Sequence, residues 1–154
     1  MKKIFTIGTS NNSIEKFIRI LKNYNIKTAI DVRSFPISKR FPHFSKEHIS
    51  KALEESGIKY FYLGKQLGGY RKGGYEKYME TEEFIKGVEE LEKLAEKENT
   101  VFFCCEKLFF RCHRRFISKV LAEKGWEVYH IVDFDKVYKE RDLENKKQQS
   151  LKLS

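Results

Sequence analysis

The chain has 154 residues, of which 40% are hydrophobic and 34% charged, and its formal net charge is +9. This length is typical of one domain that can bury well over half of its unfolded surface. No apolar run approaches the roughly 20 residues that a membrane span needs, and the N-terminal segment becomes polar too early for a signal peptide. The composition excludes a membrane protein, and we expect a cytoplasmic one.

Short apolar segments alternate with segments of helical periodicity along the chain. Strands are predicted at residues 3–7, 28–32, 59–63, 100–105 and 127–131. Helices are predicted between them, with Asn12, Ser45 and Thr81 as N-caps. Strands joined by helices run parallel with right-handed crossovers. We therefore predict a single three-layer α/β/α domain over residues 1–138, Rossmann-like or flavodoxin-like, and a polar tail over residues 139–154.

This predicted domain has about five mainly parallel strands with helices on both faces. We expect the first and fourth strands to lie side by side with their crossovers on opposite faces. Ligands bind at such a point in open α/β sheets, outside the carboxyl ends of the strands.

Three segments without an acidic residue, 32–46, 56–75 and 107–122, follow or include the ends of three of the predicted strands, and each contains four or five Lys or Arg residues. The carboxyl ends of parallel strands share one edge of the sheet, so these segments predict a basic cleft for an anionic ligand such as a nucleotide or nucleic acid. A solvated basic surface is the alternative interpretation.

Two carboxylates, Asp31 and Glu106, lie at predicted strand ends, close in sequence to Arg33 and Arg114. A carboxylate in this position can orient an arginine, hold a metal or transfer a proton. A structural ion pair is the alternative, above all for Asp31 with Arg33.

Cys112 and His113 lie at the start of the fourth long predicted helix. The helix dipole and neighbouring cations lower the pKa of a thiol there, and a nucleophile beside a base has this pattern. Adjacent helical residues point about 100° apart, so we expect one of the two to pack instead. We favour Cys112 as the packed or locally hydrogen-bonded residue, with His113 facing the ligand. Cys104, Cys105, Cys112 and His113 lack the spacing of zinc ligands, so no metal site is predicted, and no cofactor is identified. Cys105 and Arg111 have the spacing of a cysteine-phosphatase loop, but the bulky residues between them argue against one.

Five of the nine glycines lie in residues 63–75, interleaved with Tyr and Arg. We expect this loop to be a lid or a binding loop, since glycines allow close approach to a ligand and aromatic rings stack on bases. A plain flexible connection is the alternative.

Several motifs together resemble the domain-of-unknown-function 488 family. They are TIGTSN at 6–11, DVRSFPISKR at 31–40, Tyr60 with the glycines of 63–64 and 67–69, Cys104-x-Glu106 and Cys112-His113-Arg114. The resemblance extends from Ile4 to about Ile131, with Thr9 where the family usually has His. It implies a compact intracellular domain and does not specify a reaction.

Our leading hypothesis is an enzyme that acts on a phosphate-bearing substrate, a nucleotide or nucleic acid. A non-catalytic nucleic-acid-binding module and a thiol-based redox or sulfur-transfer protein are the alternatives. The catalytic candidates are Glu106, Asp31, His113 and Cys112. The substrate-binding candidates are Ser10, Asn11, Arg33, Ser38, Arg40, Tyr60, Gly68, Gly69 and Arg114.

Overall fold

A computed structural model describes residues 2–37, 41–106 and 112–140. The strands are β1 (Lys3–Gly8), β2 (Thr28–Asp31), β3 (Lys59–Tyr62), β4 (Thr100–Cys104), β5 (Glu127–Asp133) and β6 (Lys136–Lys139). The helices are α1 (Ile14–Asn23), α2 (Lys46–Glu55), α3 (Gly64–Leu67), α4 (Tyr75–Tyr78), α5 (Glu82–Lys97) and α6 (Arg114–Glu123), with a 3-10 turn at Pro42–Phe44. No helix in these described ranges combines the length and apolarity that crossing a membrane requires.

The strands of the described chain form one sheet in the order β3-β2-β4-β1-β5-β6. Five strands are parallel, as predicted, while β6 pairs antiparallel with β5. The predicted strand count is therefore one too low. A turn at Phe134 and Asp135 joins β5 to β6, and a connection this short allows only an antiparallel neighbour. Lys139, the first residue of the predicted tail, is the last residue of β6.

Two apolar cores lie on opposite faces of the sheet, which confirms the α/β fold with three layers. One core joins Phe5 and Phe103 of the sheet to Phe17 of α1 and Leu53 of α2. The other joins sheet residues such as Phe102 to α5 and α6. Alternate residues of the buried strands thus serve different cores.

The helix starts agree with the sequence in part. Thr81 caps α5, and its hydroxyl accepts the backbone N–H of Phe84 at 3.3 Å. Ser13, not the predicted Asn12, caps α1, and its Oγ accepts from the backbone N–H of Lys16 at 3.1 Å. The Asn12 carbonyl instead accepts a hydrogen bond from His43 Nε2, so Asn12 belongs to the preceding turn.

At the carboxyl end of β4, the helices that follow neighbouring strands lie on opposite faces of the sheet. β1 and β2 both lie beside β4 and lead into α1 and α2 on one face, whereas β4 leads into α6 on the other. The predicted adjacency of the first and fourth strands is confirmed, with Gly8 opposite Cys104. Such a divergence leaves a crevice beyond the strand ends.

Candidate functional site

A cavity of about 620 Å³ lies beyond the carboxyl ends of β2 and β4, and we call it the β2–β4 cavity. Its walls come from these strand ends, from the loop that follows α3 and from the start of α6. Five predicted site residues line it: Arg33, Gly69, Glu106, Cys112 and His113. The structure thus brings together residues that are up to 80 positions apart, since His113 and Arg33 come from different strand ends.

The other predicted site residues lie elsewhere. Four of them do not line the cavity: Asp31, Tyr60, Gly68 and Arg114. Two more, Ser38 and Arg40, fall outside the described residues. Ser10 and Asn11 follow β1, where the Ser10 N–H donates to the Cys105 carbonyl at 2.9 Å. They are next to the end of β4 but do not line the cavity.

Asp31 is fully buried and holds the Arg33 guanidinium in a bidentate pair. Arg33 Nε donates to Oδ1 and Nη2 to Oδ2, both at 2.8 Å, and the Arg33 backbone N–H also donates to Oδ1 at 3.1 Å. The Tyr60 hydroxyl donates to Oδ2 at 2.6 Å. Burial and the Asp31 charge raise the Tyr60 pKa, so the phenol stays protonated as the donor. Asp31 in this position orients an arginine.

Arg33 keeps part of its hydrogen-bonding capacity for the cavity. Its Nη1 donates to the Phe44 carbonyl at 2.6 Å, so three of its five N–H groups are engaged. The second N–H of Nη1 and of Nη2 has no partner among the residues that the structure describes. Because the side chain lines the cavity, these two donors are available to a ligand there.

Arg114 is only 1% exposed and lies behind the wall. Its guanidinium donates to Thr6 Oγ1 at 2.8 Å, to the Glu106 carbonyl at 2.5 Å and to Cys104 Sγ at 3.0 Å. These contacts tie together β1, the end of β4 and α6. Arg114 therefore holds the site in place from behind.

Cys112 lines the cavity at the start of α6, and its Sγ lies 3.1 Å from the Sγ of buried Cys104. The Arg114 backbone N–H donates to Cys112 Sγ at 3.3 Å. The hydrogen bond with Cys104 and the Arg114 donors hold the Cys112 pKa below its ordinary value, against the effect of burial. Burial raises the pKa of Cys104. The pair thus contains one sulfur that favours the thiolate form and one that favours the thiol.

His113 is a neutral imidazole in the cavity wall. Its Nε2 lies 2.8 Å from the Val32 carbonyl, which can only accept, so Nε2 carries the proton and Nδ1 is the acceptor. Burial, with the charges of Arg114 and Arg71, lowers the His113 pKa to about 4. Cys112 packs against one apolar core and bonds to Cys104 and Arg114, as expected of the cysteine, but both Cys112 and His113 line the cavity. They precede the first turn of α6, so the 100° spacing of a regular helix does not apply to them.

Aromatic side chains form much of the cavity: Tyr70 and Tyr75 come from the glycine-rich loop in which we expected stacking, whereas Phe35 and Phe116 were not among the predicted site residues. Tyr75 stacks on Phe116 with ring centroids 5.4 Å apart and lies 5.6 Å from the His113 ring. At the mouth, Phe35 and Tyr70 are 72% and 91% exposed, with centroids 5.9 Å apart. Phe35 and Tyr70 could have been selected from the sequence because each is an aromatic residue inside one of the basic segments that lack acidic residues.

Arg71 holds the glycine-rich loop together from within, and the Ser34 hydroxyl, which donates to the Gly69 carbonyl at 2.6 Å, links the loop to the end of β2. Arg71 Nε donates to the Gly68 carbonyl at 2.9 Å, and its guanidinium lies 4.0 Å from the centre of the Tyr78 ring. The hydroxyls of Tyr75 and Tyr78 donate to the carbonyls of Leu67 and Gln66 at 2.7 and 2.6 Å. This loop contains α3, leads into α4 and forms one wall of the cavity.

In the described ranges, no three His, Cys, Asp or Glu side chains are grouped so that they could hold a metal ion. Glu106 and Cys105 are exposed and line the cavity beside Cys112. The ionisable groups at the wall thus include a carboxylate, thiols, a neutral imidazole and guanidinium groups. They belong to Glu106, to Cys104, Cys105 and Cys112, to His113 and to the arginines. They can bind an anion, exchange a proton and supply a sulfur nucleophile.

Comparison with known proteins gives one match. The family described as "Domain of unknown function DUF488" matches residues 13–121, which include most of the cavity wall. Searches of curated proteins and of solved structures found no significant match. The chain belongs to the DUF488 family.

Proposed function

We propose that the chain is an enzyme that acts on a phosphate-bearing substrate of nucleotide size in the β2–β4 cavity. The observation that carries this proposal is the Arg33 guanidinium, which Asp31 fixes at the cavity wall with two N–H donors left over. A fixed arginine fork matches the oxygens of a phosphate group and loses little entropy on binding.

The size of the site supports a small molecule over a polymer. Cavities of roughly 300–1,000 Å³ are typical of small-molecule sites, and this one has about 620 Å³. Arg115 adds a second cation at the wall. The exposed rings of Phe35 and Tyr70 offer a surface on which a base could stack.

Glu106 is the group that we assign to proton transfer, since it is the carboxylate at the wall. His113 Nδ1 would accept a hydrogen bond from the substrate and orient it, because an imidazole with a pKa of about 4 is a weak base at neutral pH. Asp31 would act through Arg33 as a positioning residue.

The test is a binding and turnover assay with nucleoside mono-, di- and triphosphates, inorganic phosphate and pyrophosphate. We expect Arg115→Ala to weaken binding about tenfold, the typical value of a charge-assisted hydrogen bond. Arg19→Ala, an exposed arginine on α1, is the matched control and should change nothing. Glu106→Gln should bind as the parent does and lose turnover. Equal binding by the parent and Arg115→Ala would contradict the assignment of the cavity.

A non-catalytic nucleic-acid-binding module is the second candidate. The net charge of +9 and the exposed ring pair of Phe35 and Tyr70 favour it. A titration with a short single-stranded oligonucleotide at two salt concentrations separates the candidates. Oligonucleotide affinity that falls steeply with salt, together with no turnover of any tested phosphate compound by the parent, would favour the module.

A cytoplasmic location is part of this proposal. The clustering of Cys104, Cys105 and Cys112 as free thiols supports it, because cytosolic thiols are kept reduced. Fractionation of cells that express the tagged chain tests it.

A further inference from the structure

Cys104 and Cys112 are free thiols whose sulfur atoms lie 3.1 Å apart. Cys104 is the last residue of β4, and Cys112 lies two residues before α6. A disulfide bond has a length of about 2.05 Å. The two sulfurs therefore need to approach by only about 1 Å to form one.

Arg114 donates a hydrogen bond to each sulfur. Its Nε lies 3.0 Å from Cys104 Sγ and its backbone N lies 3.3 Å from Cys112 Sγ. N–H donors and a nearby positive charge favour the thiolate, the reactive form of cysteine. Arg114 is itself fixed by Thr6 and by the Glu106 carbonyl, so the donors stay in place.

The two cysteines differ in access. Cys112 is half-buried and lines the β2–β4 cavity, so a molecule in the cavity can reach its sulfur. Cys104 also borders the cavity, but it lies at the end of the central strand and is only 1% exposed, so its sulfur is covered. This arrangement suits an attacking thiol in front and a resolving thiol behind it. Cys105 is exposed and also lines the cavity, but the short sulfur–sulfur contact joins Cys112 to Cys104.

We propose that Cys104 and Cys112 are a redox-active dithiol that exchanges two electrons with a small-molecule disulfide in the cavity. The Cys112 thiolate attacks one sulfur of that disulfide. The bond between its two sulfurs breaks, a mixed disulfide forms on Cys112, and one small thiolate leaves and takes a proton from water. Cys104 then gives its proton to water, as Cys112 did to become a thiolate, and attacks the Cys112 sulfur. The second small thiolate leaves and takes a proton from water. Cys104 and Cys112 are thereby oxidised to a disulfide while the small disulfide is reduced to two thiols.

This activity does not depend on the phosphate-bearing substrate proposed above. The dithiol needs only Cys104, Cys112 and the Arg114 donors, whereas the proposed phosphate site needs Arg33, Arg115 and Glu106. A failure of one set of experiments therefore leaves the other untouched.

The experiment equilibrates the full chain with mixtures of reduced and oxidised glutathione, quenches it with acid and measures its mass. We expect the parent to lose two hydrogen atoms and peptide mapping to join Cys104 to Cys112. Cys104→Ser should stop at a glutathione adduct on Cys112, while Cys105→Ser should still form the internal disulfide. In the parent, alkylation by iodoacetamide should be at least tenfold faster at Cys112 than at Cys104.

Three results would overturn the proposal. They are an internal disulfide that includes Cys105, a parent that stays fully reduced in oxidised glutathione, and alkylation of Cys104 as fast as that of Cys112. All three are read from the parent chain, so the test does not depend on whether the serine variants fold.

Discussion

Asp31 and Arg33, two residues apart at the end of β2, form a buried bidentate ion pair with both N–O distances at 2.8 Å. Asp31 is fully buried and Arg33 is 6% exposed. A buried carboxylate accepts its bonds here from two N–H groups of the guanidinium, one backbone N–H and the Tyr60 hydroxyl. The pair fixes the arginine that we assign to phosphate binding, so the carboxylate contributes to function through Arg33.

Replacing the carboxylate of this pair should be costly. Asp31→Asn leaves a buried guanidinium without its counter-charge, and removing one partner of a buried ion pair typically costs about 3–5 kcal/mol. We expect the free energy of unfolding, measured by urea denaturation, to fall by about 3 kcal/mol. Tyr60→Phe is the matched variant and should cost about 1 kcal/mol, because it removes one hydrogen bond and keeps the charge pair. If both substitutions lower the free energy of unfolding equally, the charge of Asp31 contributes no more to stability than the single hydrogen bond from Tyr60.

The free energy of unfolding should decrease as the pH is lowered, because the fold keeps His113 neutral. Its folded-state pKa is about 4, below its ordinary value of 6.5. As the pH drops through 6.5 the unfolded chain takes up a proton that the folded chain does not, so unfolding becomes easier until the pH reaches about 4. We expect this group to contribute a loss of about 2 kcal/mol between pH 7.5 and pH 5.

His113→Gln isolates this contribution, since glutamine can still donate to the Val32 carbonyl and does not titrate. Burial also lowers the pKa of His130, which therefore acts in the same direction in both proteins and cancels in the comparison. The difference in unfolding free energy between parent and variant should change by about 2 kcal/mol over this pH range. A difference that is the same at pH 7.5 and pH 5 would mean that His113 is not held neutral.

The sheet and the position of the site could be predicted because they depend on local patterns. Apolar strands alternate with helices, and Asp31 and Glu106 each follow a buried strand. The edge strand β6 could not be predicted in this way, because Lys136–Lys139 is short and half polar. Its stability comes from pairing with β5 and from the ion pair of Lys139 with Glu127 at 3.4 Å.

The direction of the side chains at the site could not be predicted, since it depends on distant contacts. Arg114 was expected in the cleft, yet Thr6, which comes from another strand, holds its guanidinium behind the wall. Tyr70 and Phe35 come from two separate loops and meet only in the folded chain. Patterns of charge and periodicity do not predict such contacts between side chains that are distant in sequence.

Two adjacent glycines should respond differently to alanine. A Cβ at Gly68 would overlap Ser34 and the Gly64 carbonyl, so Gly68→Ala should lower the free energy of unfolding by about 1–3 kcal/mol. A Cβ at Gly69 would lie 3.1 Å from His113 Nδ1, a contact that a small shift relieves. Gly69→Ala should leave stability within about 0.5 kcal/mol of the parent and weaken ligand binding, because it fills space beside Nδ1. Thermal unfolding and titration with nucleoside monophosphates measure the two effects, and equal destabilisation by both substitutions would contradict this geometry.

Tyr70 combines 91% exposure with a φ of 59°, so it adopts a backbone conformation that is unfavourable for tyrosine and packs little of its ring. Such a residue contributes little to folding, and its ring is available to a ligand. Asparagine adopts this conformation more readily, so Tyr70→Asn should keep the parent's unfolding free energy or raise it by about 0.5 kcal/mol. Affinity for nucleoside monophosphates, measured by calorimetry, should fall about tenfold, since stacking on one ring contributes about 1–3 kcal/mol. Phe134→Asn, at an exposed aromatic residue in the β5–β6 turn, is the control and should bind as the parent does. If Tyr70→Asn binds as tightly as Phe134→Asn, the ring pair at the mouth does not contact the ligand, and the binding surface must lie deeper, at Tyr75 and Phe116.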